Sequence, residues 1–268
     1  MNQTHPYKKL SIQVSLNGLS FYVQDSISNK IILSDNLIFI QESTPYLILK
    51  ELKKVLEKNN LINQQFEDVE IIYKNQLYCL VPKPLFAKEE LPNYLKFNTK
   101  ILANDEIVYD QLTHQEIVCV YIPYTNVNNY LFDCFGEFEF KHHSTALLQV
   151  LFHKKSNKTL CYVYVEPKTL ELVVINQRKL LLYNQFHYES KEDFLYYVLF
   201  TYEQLGLDVE QVKLKLFGMI EEGDEIFEIC YKYLKKVIVF EPKNGLPHWS
   251  SKTMPSVDLT LLEKGNRV

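Results

Sequence analysis

The same order of strands and helices is written into this sequence twice, and that repetition constrains the fold more than any short motif. LSIQVSLNGLSFYVQDSISNKIILSD reads as three short strands. Ile12, Val14 and Leu16 alternate along the first, Leu19, Phe21 and Val23 along the second, and Ile31 to Leu33 mark the third. Asn17-Gly18 carries the hairpin signal, because both central positions of a type I′ turn need positive φ. A helix follows at about 45–58, with Thr44 as its cap, Pro45 in its first turn, and Ile48, Leu52, Val55 and Leu56 as its buried stripe. The pattern restarts in the second half with strands at 160–166, 170–175 and 179–187. Ser190 and Asp193 then open a helix as a capping-box pair, and Gly206 stops it. A strand at 213–217, a helix at about 224–234 and a strand at 236–240 complete the second half. A meander followed by β-α units predicts a mixed sheet with helices on its faces, and its duplication predicts two such domains.

Between these blocks the pattern is less regular. Strands at about 69–74 and 77–81 read as a pair joined at Asn75-Gln76, and a short helix is expected around 88–97 among Pro82, Pro84 and Pro92. Strands near 106–112 and 117–122 follow, then a helix near 125–134, Gly136, a strand at about 137–140 and a helix at about 144–154. The tail after Pro247 is polar and reads as irregular, with Trp249 able to anchor part of it.

Composition narrows the function classes. The chain has seven glycines in 268 residues, well under the usual share of about 7%, and glycine is what lets backbone approach a phosphate closely. Net charge is −4, and Arg178 and Arg267 are the only arginines. Without a basic field or guanidinium forks, nucleic acid is not an expected partner. Five separated cysteines, none in a CxxC pair, argue against a zinc site or a disulfide framework. No run reaches the length of a membrane span. These features together read as a reduced, cytoplasmic protein without membrane insertion.

The stretch VCVYIPYTNVNNYLFDCFGEFEF, followed by HSTALLQVL, resembles the strand-helix-Gly-strand-helix segment of division- and pilus-assembly-type actin relatives. CYVYVEPKTLELVVINQRKLLLYNQF resembles the meander that opens their second domain. LSIQVSLNGLSF, KLLLYNQFHY, FLYYVL and KLFGMI also resemble, over nearly the whole length, an uncharacterised bacterial family described as having an actin-like ATPase fold. The resemblance implies an α/β chain with α+β mixed sheets, in which two duplicated ribonuclease H-like domains flank a cleft. The first would span 1–155, with an inserted strand and helix segment at about 77–112; the second would span 156–246, before an irregular tail at 247–268.

That family resemblance also says where a nucleotide would sit. Actin-like ATPases hold phosphates in the turn between the first two strands of each domain, where an acid organises magnesium and backbone amides meet the phosphate oxygens. The first such turn is Ser15-Leu16-Asn17-Gly18-Leu19-Ser20, which has no carboxylate. The second is Glu166-Pro167-Lys168-Thr169, where an acid is present but Pro and Lys replace the residues that would expose amides. The adenosine motif would begin at Gly218 in GMIEEGDE, half of a GxxxxG pattern whose four acids suit a helix N-terminus and repel phosphate. The turns on their own read as ordinary hairpins, and the acidic segment as a well-capped strand-to-helix turn. No carboxylate cluster of the two-metal nuclease kind lies on LSIQVSL, and His142-His143 reads as a surface or capping pair.

The preferred expectation is a non-catalytic actin-like protein without cofactor or metal, working through a protein partner or its own copy. The alternative is a divergent ATPase or phosphotransferase using ATP and magnesium, with Asn17, Gly18, Glu166, Lys168, Thr169 and Gly218 at the nucleotide. Glu166 would then organise magnesium-bound water and Lys168 would offset phosphate charge. A pair of unrelated α+β domains is the third.

Overall fold

The computed structural model describes residues 7–239 apart from 40, 98, 154 and 155, and without the side chains of 113 and 153. The tail and Trp249 therefore lie outside the described residues. The chain forms two compact units that part between Leu151 and Phe152.

In the first unit, strands β1 (Lys8–Ser15), β2 (Gly18–Asp25) and β3 (Ile31–Ile38) form an antiparallel meander. Helix α1 (Pro45–Lys58) follows, its first turn capped by the Thr44 hydroxyl accepting from the Leu47 amide at 3.4 Å. Strand β4 (Asp68–Lys74) returns parallel to β1. Beyond it lie β5 (Tyr78–Pro82), α2 (Leu91–Leu95), β6 (Val108–Leu112), β7 (Ile117–Tyr121), α3 (Thr125–Phe135), β8 (Glu139–His142) and α4 (His143–His153). The main sheet has the order β3-β2-β1-β4-β8, and β5-β7-β6 form a separate antiparallel sheet. Leu10, Ile12 and Val14 of β1 meet Ile48, Leu52 and Leu56 of α1 and Val127 and Leu131 of α3 in one core. Burying such side chains contributes roughly 1.5–3 kcal/mol each.

Three sequence expectations change here. The strands around Asn75-Gln76 do not pair with each other, since β4 joins the main sheet and β5 the small one. The Asn75 side chain directs that parting: its Oδ1 accepts from the Leu77 amide at 2.8 Å, while its Nδ2 donates to Ile122 O at 2.9 Å. The inserted segment reaches Tyr121, because β7 is the central strand of the small sheet. The helix expected at 88–97 is an α-turn at Leu91–Leu95 preceded by a 3-10 turn at Lys88–Glu90.

In the second unit, β9 (Leu160–Val165), β10 (Thr169–Asn176) and β11 (Lys179–His187) repeat the meander. Helix α5 (Lys191–Gln204), strand β12 (Lys213–Gly218), helix α6 (Glu225–Tyr233) and strand β13 (Val237–Val239) follow, and the sheet order is β11-β10-β9-β12-β13. Both halves of the capping box form at α5, where the Ser190 hydroxyl accepts from the Asp193 amide and the Asp193 carboxylate accepts from the Ser190 amide. Gly206 takes φ +61 and Leu207 donates to Tyr202 O at 2.8 Å, closing the helix.

The two sheets match strand for strand: three antiparallel strands, then a fourth parallel to the first and a fifth parallel to the fourth. Register makes the match residue-specific. Val14 pairs with Leu19 and Tyr73, and Val165 pairs with Leu170 and Gly218. Ser15 thus corresponds to Glu166 and Gly18 to Thr169, with no residue gained or lost in the turn. Asp35, opposite Phe21, and Asn184, opposite Leu172, likewise correspond. Each of those side chains accepts from the amide of the next residue on an outer strand, at 2.9 Å in both cases.

Candidate functional site: the two strand turns

The first turn has the two-residue length of a type I′ hairpin, but it stands one residue earlier than Asn17-Gly18 implies. Ser15 pairs with Gly18, so the two-residue loop is Leu16-Asn17 and Gly18 already belongs to β2. Neither Asn17 nor Gly18 has positive φ. Glycine is required at 18 because of β3: a Cβ there would stand 2.5 Å from Leu37 O. The Ser15 hydroxyl donates to Gly18 O at 2.9 Å. The turn carbonyls of Leu16 and Asn17 accept from the Ser43 and Phe39 amides at 2.8 and 2.9 Å. The turn's carbonyls are thus committed to the chain that follows β3. The type I′ signature occurs instead at Gln177-Arg178, both left-handed with φ +47 and +66, in the β10–β11 turn.

The second turn closes in the same way. The Glu166 amide donates to Thr169 O at 3.0 Å, and the Thr169 hydroxyl donates to the Glu166 carboxylate at 2.8 Å. Pro167 has no amide to give. Tyr188 braces the loop from outside, its hydroxyl donating to Glu166 O and its amide to Lys168 O at 3.0 Å. Burial, reinforced by the nearby Glu166 charge, pushes the Tyr188 phenol up to about 12. Lys168 is exposed at the turn tip.

Gly218 lies beside this turn, at the end of β12, with φ +98. A Cβ there would meet Val165 O at 2.5 Å and the Tyr164 ring at 2.8 and 2.9 Å. The next amide, Met219, donates to Val165 O at 2.8 Å. The glycine therefore admits the neighbouring strand. Glu166, Lys168, Thr169 and Gly218 do converge at one set of strand ends in the second unit, whereas Asn17 and Gly18 belong to the first.

The acidic segment after Gly218 is built differently from a capped turn. Asp224 stands at the N-cap of α6, but its side chain makes no cap bond and instead accepts from the Glu221 amide at 2.8 Å. Glu225, in the first helical turn, meets Lys191 of α5 at 3.3 Å.

A second polar constellation escaped the sequence reading. His142 and His143 are not on the surface: both are buried, at the junction of β8 and α4, and His142 caps that helix, its Nδ1 accepting from the Ser144 amide at 3.1 Å. The His142 ring nitrogens meet Ser144 Oγ at 2.8 Å and Asn75 O at 3.1 Å, and Tyr78 stacks on the ring at 4.3 Å. Asp110 accepts from the Tyr121 hydroxyl at 3.0 Å and from the His142 backbone amide at 2.8 Å. Burial holds the Asp110 carboxyl above its ordinary range, despite those bonds. Cys119 Sγ lies 3.3 Å from Ser144 Oγ, and burial pushes its thiol up. Serine, histidine and aspartate meet here without forming a catalytic triad: Asp110 holds the histidine's backbone rather than its ring, and Ser144 is wholly buried. The cluster fastens the small sheet to β8 and α4. Its sequence signal was HHST, four polar residues ahead of an apolar helix, together with an aspartate inside the strand VYDQL.

Among the described residues no group of three or more His, Cys, Asp or Glu could hold a metal ion, and no helix is long and apolar enough to cross a membrane.

This architecture has solved counterparts. A protein from Bacteroides thetaiotaomicron VPI-5482, with an actin-like ATPase fold and unknown function, matches with a TM-score of 0.73 at 21% identity, over 88% of this chain and 91% of that one. A chain of the PilM-PilN type IV pilus biogenesis complex matches with a TM-score of 0.60 at 10% identity, over 96% and 94%. No curated protein matches the sequence. The chain has the actin-like ATPase fold. The profile described as "Protein of unknown function (DUF3822)" matches residues 1–237, and the chain belongs to that family.

Proposed function

We propose that this protein is a pseudo-ATPase: an actin-like fold that acts by binding a protein, with no nucleotide or metal in its working cycle. The observation that carries the reading is the use made of Gly18 and Gly218. Both stand where the fold would place ligand-contacting glycine, and both are filled by a neighbouring strand's carbonyl 2.5 Å from where a Cβ would lie. The turns beside them are minimal hairpins, one without an acid and one whose acid accepts from Thr169. Phosphate binding by a loop needs convergent free amides, and in the second turn Pro167 has no amide while that of Glu166 is bonded to Thr169 O. A chain of this fold in the PilM-PilN complex is assembled with another protein, a precedent for the fold as a docking body. The five free cysteines support a reducing bacterial cytoplasm as its place.

Hydrolysis assays separate this reading from the divergent ATPase. Wild type and Glu166→Gln should both leave ATP and magnesium at the background rate. A magnesium-dependent rate in wild type that Glu166→Gln abolishes would establish the enzyme and overturn the proposal.

A further inference from the structure

We infer that the outer face of α5 and α6 is the docking surface, and that its occupant is a lysine- or arginine-bearing amphipathic helix of another protein. The inference rests on the binding reading above and adds the place and the chemistry of the partner. Both helices lie on the same side of the second sheet, where Phe194, Val198 and Tyr202 of α5 and Cys230 of α6 share one core with Val163, Leu172 and Leu216. The Lys191–Glu225 contact at 3.3 Å shows that their first turns are neighbours.

The side facing away from that core should be polar, and it is not. Tyr196 is 60% exposed and Phe200 41%, and their rings stack at 5.8 Å along α5. On α6, Tyr231 is 59% exposed and stacks at 5.8 Å on Phe227, which is itself half-buried against the core. Exposed rings such as Tyr196, Phe200 and Tyr231 have the character of interface anchors, since aromatics dominate binding energy once a partner covers them. The exposed charge at the N-terminal ends of the two helices is acidic, Glu192, Glu222 and Glu228, with Lys191 already engaged by Glu225; the exposed Lys232 stands beyond them in the last turn of α6.

Charge complementarity selects the occupant. An isologous contact with a second copy would set these acids against their own images, in a chain of net charge −4. Nucleic acid and anionic lipid are repelled for the same reason. A helix with an apolar stripe and a basic rim satisfies both the rings and the acids.

The test is fluorescence anisotropy with a labelled helix-forming peptide of leucine on one face and lysine on the other, beside a control with glutamate for lysine. Wild type should bind the lysine peptide, prefer it to the control and lose affinity as salt rises. Tyr196→Ser with Phe200→Ser, at exposed positions, should weaken it by about thirtyfold. Glu192→Lys with Glu228→Lys should weaken it and flatten the salt dependence. No binding, equal affinity for the two peptides, or unchanged affinity in both double variants overturns the inference. So does sedimentation showing wild-type oligomers that the aromatic double variant dissolves, because a second copy would then own the face. An ATP-magnesium titration of the same preparation keeps the two claims apart, since saturable heat there overturns the pseudo-ATPase reading whatever the peptides do.

Discussion

Replacing three glycines by alanine, one at a time, separates backbone conformation from strand contact. Gly223 has φ +94 and nothing within 4 Å of an added Cβ, so Gly223→Ala meets the conformational cost alone. A left-handed φ costs an ordinary residue about 1–2 kcal/mol, and the loss of unfolded-chain freedom returns about 0.4–1 kcal/mol. The net should be near 1 kcal/mol. Gly18 has no positive φ but would set a Cβ 2.5 Å from Leu37 O. Forced overpacking of this kind costs about 1–3 kcal/mol. Gly218 carries both burdens, φ +98 and a Cβ 2.5 Å from Val165 O and 2.8 Å from the Tyr164 ring. Its substitution should cost roughly the sum of the two, about 2–4 kcal/mol. Urea unfolding, with free energies extrapolated to water, reads all three. The comparison within the second unit decides the matter. Equal losses for Gly218→Ala and Gly223→Ala would refute the idea that β9 occupies the space beside Gly218. A Gly18→Ala protein as stable as wild type would refute the same idea for β3.

Two further outcomes follow from the buried aspartate and the α5 cap. Burial raises the Asp110 carboxyl, so the folded chain holds that proton more tightly than the unfolded one. The resulting stabilisation is complete below the ordinary value of 3.8 and is lost as pH rises through the raised folded value. Asp110→Asn can still accept from His142 and donate to the Tyr121 hydroxyl, so wild type should lead it most at acid pH, by a margin that shrinks as pH rises; a margin growing with pH in a series of urea titrations would contradict this. Ser190→Ala removes the acceptor for the Asp193 amide and should cost about 1 kcal/mol, with Ser190→Asp largely retaining stability; no loss on Ser190→Ala would show that α5 is held by its packing alone.

What the sequence made legible was order, and what it hid was register. Alternation along Ile12, Val14, Leu19 and Phe21, and the Ser190–Asp193 cap, are local signals, and the elements they mark formed. The correspondence of Ser15 with Glu166 and Gly18 with Thr169 is not local. It is defined by which residue of a distant strand stands opposite, and the side chains themselves differ. The hairpin marked by Asn17-Gly18 formed, but not as a type I′ turn, for a related reason: β3, carrying Leu37, needs a residue without a Cβ at 18, so the glycine was spent on contact rather than on positive φ. Gln177 and Arg178 adopt the left-handed turn that sequence preference would give to Asn-Gly. The capping role of His142 was legible, but its burial was not, because Asp110, Tyr121 and Asn75, its neighbours in space, are scattered through three segments.

The candidate site follows the same division. Its residues were named by their place in a resemblance, and the missing first carboxylate was visible in the sequence itself. Whether the remaining groups are free to meet a ligand depends on bonds such as Thr169 to Glu166 and Met219 to Val165, which no spacing encodes. Those bonds turn an absence of motif into a physical claim about closed loops.

Titration calorimetry of the wild-type chain with ATP in excess magnesium tests that claim most directly. Closed turns predict no saturable heat, while a saturable isotherm with micromolar affinity would contradict the account.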